Sequence, residues 1–227
     1  MQLEKVKSNS IFNADGSDWM IAGFVLMLVG YFLPWFKLPA AGLTLIGLDI
    51  SEWLKFLPQF ATGELPNRNI FYLPPLFLGL MLILWSMMVD HERGAAPRRS
   101  LFISAAGCLI ALIAIPALEV LPLNGEKFNA TDEWLIRLAL IGLVFGLAII
   151  RPWLTRIPAS WLAGGIGVLA LIGAVLPAWL LYLSRSAYIF WLRLTPTPGL
   201  GFALHLLGTV CVLWAVVALL FLKSEDE

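Results

Sequence analysis

Six stretches of about twenty mainly apolar residues, joined by short charged connections, dominate this chain and constrain its fold more than any other feature. They run over 19–36, 70–89, 101–121, 134–150, 160–183 and 201–222. A helix rising 1.5 Å per residue needs about 20 such residues to cross the ~30 Å hydrocarbon layer. The reading is an all-α integral membrane protein with six transmembrane helices in three hairpins, 18–89, 100–150 and 159–223. Segments 1–17 and 224–227 lie outside the bilayer. Composition agrees: 60% of residues are hydrophobic, 13% are charged, and the mean hydropathy is +0.86. A soluble domain has roughly 45–50% apolar and about 25% charged residues, so lipid must be the solvent for much of this surface.

Fifteen basic and fifteen acidic residues give zero net charge. That excludes the basic stripe a nucleic-acid partner requires, and no polybasic cluster is present to grip anionic headgroups. Cys108 and Cys211 fall inside apolar stretches and read as small buried hydrophobes, not as a disulfide framework. Residues 1–17 are polar and mixed in charge, unlike a cleavable signal, so the first apolar stretch is expected to be retained.

Orientation follows from where Lys and Arg collect. With the N-terminus inside, the inner side holds Lys5, Lys7, Arg93, Arg98, Arg99, Arg151, Arg156 and Lys223. The outer side holds Lys37, Lys55, Arg68, Lys127, Arg137, Arg185 and Arg193. The inner connections are shorter and so denser in positive charge, which places both termini in the cytoplasm. Trp19, Trp35, Trp134, Trp153, Trp161 and Trp179 stand near the ends of the stretches, where indole rings suit the headgroup layer.

The first outer connection, 38–69, is unusually long. Asp49-Ile50-Ser51-Glu52 reads as a helix start, with Asp49 as N-cap and an acid three positions on. Ile50, Trp53, Leu54 and Leu57 then recur on one helical face, which predicts a short amphipathic helix lying in the outer interface and ended by Pro58. Tyr188-Ile189-Phe190-Trp191-Leu192 reads as a second interfacial segment, too short to span.

The first and last hairpins echo each other. Trp19, Gly23, Gly30 and Leu33-Pro34-Trp35 match Trp161, Gly165, Gly173 and Leu176-Pro177-Ala178-Trp179, and the interval from Gly79 to Trp85 equals that from Gly208 to Trp214. Such a pattern suggests duplication in parallel orientation, although Gly, Pro and Trp are common at the ends of membrane helices. Gly142 and Gly146 form a small-xxx-small pair. With Gly23, Gly30, Gly165 and Gly173, they mark faces where helix backbones can approach closely.

Few residues in the apolar stretches offer chemistry. A buried imidazole at His205 is either structural or a ligand for haem or chlorin. The string Ala203-Leu204-His205-Leu206-Leu207, followed by Trp214, resembles single-helix light-harvesting polypeptides over those few residues and would imply a chlorin there. Glu119 and Arg137 flank one short outer connection and are expected to form an intramembrane ion pair. Asp90-His91-Glu92-Arg93 reads as a solvated loop more readily than as metal ligands. Asn129-Ala130-Thr131 matches a glycosylation acceptor but reads better with Thr131 as a helix cap.

No phosphate-binding loop, nucleophile elbow or zinc-protease motif is present, so no catalytic residue can be named. The expectation is a non-catalytic membrane subunit or accessory scaffold within a larger energy-transducing, transport or export complex. Its partners would be the bilayer and other membrane subunits, or further copies of itself. A small transporter or channel for a neutral or lipid-like substrate is the first alternative, and a haem or chlorin protein using His205 is the second. The Leu33-Pro34-Trp35 helix end and the Gly-containing outer loop after it resemble many small multispanning bacterial membrane proteins, which implies a bacterial cytoplasmic membrane.

Overall fold

The computed structural model describes residues 16–38, 43–91, 97–116, 133–154, 156–192 and 195–222. Most of these are helical. The helices are α1 (Gly16–Phe32), α2 (Gly47–Leu54), α3 (Pro58–Ala61), α4 (Leu73–His91), α5 (Pro97–Ala111), α6 (Glu133–Ile150), α7 (Ala159–Leu192) and α8 (Leu200–Val217). Four helical stretches are long and apolar enough to cross a membrane, within Arg68–Asp90, Trp134–Trp153, Ala159–Phe190 and Leu200–Leu220. α1 is equally apolar but shorter, at 17 residues.

Three local readings need correction. The fold is not purely helical. Strands β1 (Pro34–Leu38), β2 (Leu43–Ile46) and β3 (Thr197–Pro198) form a small antiparallel sheet in the order β2-β1-β3. The register shifts between Pro34 and Phe36. This bulge coincides with Trp35, whose ring is fully buried; bulges re-aim side chains in this way. Second, α2 begins at Gly47, so Asp49 is not the cap. It sits one turn in, and its carboxylate accepts from the Ile46 N–H at 3.4 Å. Third, 188–192 is no separate interfacial segment, because α7 continues unbroken through it. At 1.5 Å per residue a helix of this length spans about 50 Å, well over the hydrocarbon thickness, so one end projects beyond it.

Glycines determine how the helices cross. α1 and α8 run antiparallel in close contact. A Cβ on Gly30 would lie 2.5 Å from the His205 backbone nitrogen, and one on Gly23 would lie 2.6 Å from the Val212 side chain. α4 and α5 meet through Gly79 and Gly107 in the same manner. α7 crosses α4 with Gly165 facing Leu84 and Gly173 facing Phe77. Under the Gly79–Gly208 correspondence, Val212 aligns with Ile83 and His205 with Leu76. These are one residue from the observed Leu84 and Phe77. The two crossings thus use neighbouring positions but differ in closeness, since Gly165 and Gly173 meet side chains where Gly23 and Gly30 meet backbone.

Three apolar clusters result. One joins α1, α4, α7 and α8 around Met20, Met27, Met81 and Val212. A second joins α4, α5 and α6 around Leu76, Ile83 and Val144. A third lies at the end that carries the sheet. There Ile50, Leu54 and Leu57 bury against Tyr31, Trp35, Phe71, Leu180 and Tyr188, with Trp53 packed at the edge. The apolar stripe of α2 thus faces the protein's own helix ends, where the sequence alone suggested lipid. Because the helices alternate in direction, Asp90, Ser100 and Arg151 collect at the opposite end. Arg151 donates to the Ser100 carbonyl at 2.8 Å and pairs with Asp90 at 3.4 Å.

Candidate functional site

His205 is 1% exposed on α8. Its Nδ1 lies 3.1 Å from the Met27 carbonyl on α1, which accepts only if Nδ1 carries the proton. Its second backbone neighbour is Gly173 on α7. Pro177 has no N–H, so the Gly173 carbonyl lacks its usual helical donor. The ring packs on Trp35, with centroids 5.2 Å apart. Trp35 in turn donates through Nε1 to the Gly30 carbonyl at 2.9 Å, and Tyr31 donates to the Phe71 carbonyl at 3.0 Å. These bonds join α1, α8 and the turn before α4 at the sheet end of the bundle. Nε2 of the ring is buried and has no hydrogen-bond partner among the described residues.

The second polar group lies at the same end, between α2, the Arg68–Tyr72 turn and α6. Glu52 binds Lys55 at 3.0 Å and Arg68 at 3.5 Å. Tyr72 donates its hydroxyl to Glu52 at 2.9 Å. Arg137 of α6 places its guanidinium over the Tyr72 ring, 4.2 Å from the centroid. Arg137 is only 7% exposed, and its Nε is buried without an acceptor among the described residues. Glu119, expected to be the partner of Arg137, lies outside the described residues, as do Glu92, Arg93 and the Asn129–Thr131 loop.

Arg137 also lines a cavity of about 130 Å³ walled by Leu73, Leu76, Ile136 and Leu140, with Asn67 and Asn69 at one end. Ile136 is 53% exposed, so the slot reaches the surface of the bundle. A larger groove of about 220 Å³ lies beside α7 and α8 under β3, with Arg185 among its lining residues.

The predicted packing glycines divide into two groups. Gly23 and Gly30 sit in the α1–α8 crossing, and Gly165 and Gly173 face α4. Gly142 and Gly146 on α6 face open space, with nothing within 4 Å of an added Cβ. The sequence did not single out Tyr72, and it named Arg68 only as an outer-side cation. Glu52 was visible only as the acid of the predicted helix start, and its partners Arg68 and Tyr72 lie 16 and 20 residues away. Among the described residues, no group of three or more His, Cys, Asp or Glu side chains could hold a metal, and both cysteines are free. No protein-family model, curated protein or solved structure matches the chain.

Proposed function

We infer that this protein is a non-catalytic membrane subunit whose α6 face receives a helix from a larger complex, in energy transduction, transport or export. The observation that carries this reading is the contrast among its helical glycines. Those of α1, α4, α5 and α8 named above are used in close crossings, while Gly142 and Gly146 stand open. α6 is also the most peripheral of the long apolar helices, with 22% of its apolar window buried against 72% for α4. In lipid, association is driven by packing and not by water exclusion. An open small-xxx-small face is a surface on which a second backbone can approach closely.

The same reading has six spans in three hairpins, with both termini on the cytoplasmic side of a bacterial membrane. The close antiparallel packing of α1 along α8, and of α5 along α4, supports counting the two shorter helices as spans. The denser basic charge of the inner connections supports the orientation.

The test is native mass spectrometry on protein extracted gently from its own membranes. Reproducible additional subunits are expected, and the double variant Gly142→Leu/Gly146→Leu should shed them while keeping the wild-type unfolding midpoint. A mass corresponding only to this chain or its homo-oligomer would sink the subunit reading and bring transport of a neutral or lipid-like substrate forward.

A further inference from the structure

We propose that the slot beside Arg137 binds an anionic amphiphile, its acidic head on the guanidinium and its acyl chain along Leu73, Leu76, Ile136 and Leu140. Three observations carry this assignment. First, Arg137 is buried in a helix that is long and apolar enough to span, and its Nε has no acceptor among the described residues. A guanidinium cannot discharge by losing its proton, so a buried one calls for an acceptor. Stacking on Tyr72 at 4.2 Å holds the plane of the group but supplies no negative charge.

Second, Glu52, the carboxylate that contacts Tyr72, is already engaged. Glu52 is held by Lys55, Arg68 and the Tyr72 hydroxyl, not by Arg137. Third, the shape of the cavity suits a chain and not a bare ion. Its walls are aliphatic, and exposed Ile136 opens it to the side of the bundle where acyl chains would lie. The N-termini of α4 and α6 lie at this same end, and their partial positive charge favours an anion.

The assignment is independent of the α6 glycine face. The full chain, purified in mild detergent, would be offered equal amounts of phosphatidylglycerol and phosphatidylcholine with identical acyl chains, and retention read by native mass spectrometry. Wild type should retain the anionic lipid roughly tenfold over the zwitterionic one, the ratio expected of one charge-assisted contact. Arg137→Gln should bring that ratio near one, Arg137→Lys should keep part of it, and Leu140→Trp should lose both lipids by filling the slot. Should Arg137→Gln fail to fold, the Lys and Trp variants carry the test. An equal ratio in wild type would overturn the proposal, as would full retention by Leu140→Trp. Glu119, Asp132 and Glu133 are the carboxylates nearest in sequence. If replacing all three by amides raised anionic-lipid retention several-fold, the site would belong to one of them and the proposal would fail.

Discussion

Glu52 shows how one side chain can organise a protein end without being legible as a site. Partial burial pushes its carboxyl up. Hydrogen bonds from Lys55 and Tyr72, with the charge of Arg68, outweigh that and hold it below the ordinary glutamate value of 4.5. A carboxyl lowered in the folded state adds stability above its unfolded value and loses it as pH falls through the folded one. Glu52→Gln should therefore lower the unfolding midpoint at neutral pH, and its difference from wild type should shrink as pH drops below 4.5. A difference unchanged across a pH series from neutral to strongly acid would mean that the side chain acts by shape alone. Sequence spacing exposed Arg137 and His205 because a polar group in an apolar run is conspicuous. It could not expose Tyr72 or Glu52, whose roles come from contacts made across a long connection. It also proposed Glu119 as a partner for Arg137; Glu119 lies outside the described residues, among which the guanidinium stacks on Tyr72.

At the scale of elements, glycine spacing carried much of the helix packing, but not which glycines would be used. Gly30 and Gly142 read alike in one dimension, yet one meets a neighbouring backbone and the other meets nothing. The difference can be tested. Gly30→Ala should destabilise the protein in detergent by about 1–3 kcal/mol, the usual cost of overpacking. Gly165→Ala meets only the flexible end of Leu84, at 3.2 Å, and should stay near wild type. Equal midpoints for both variants would remove the argument for a tight α1–α8 crossing. The strands were missed for a physical reason. Pro34–Leu38 continues the apolar run of α1 without a break, and a short buried strand cannot be told from a helix end by periodicity. The projecting end of α7 was missed because Ser184-Arg185-Ser186 looked like a boundary. Ser184 and Ser186 instead donate to carbonyls three residues back, and the helix continues.

For the whole molecule, hydropathy conveyed the helical membrane character but not the three apolar clusters. α4 is central to two clusters, one with α1, α7 and α8 and one with α5 and α6. The sheet brings the segment after α1 against the segment before α8. Orientation can be settled by labelling. In a variant whose two cysteines are replaced, Lys55→Cys should react with an impermeant maleimide in intact cells, and Arg156→Cys only after permeabilisation. The reverse pattern would invert the topology.

The α1–α8 crossing also has a consequence for biogenesis. α1 finds a close partner in α8, and residues 33–199 are synthesised between them. At about 5–20 residues per second, α1 must wait on the order of ten to forty seconds with Gly23 and Gly30 uncovered. During that interval its bare backbone groove is open to any helix nearby, so a cell making this protein must either shelter the nascent N-terminal segment or risk its capture by another chain.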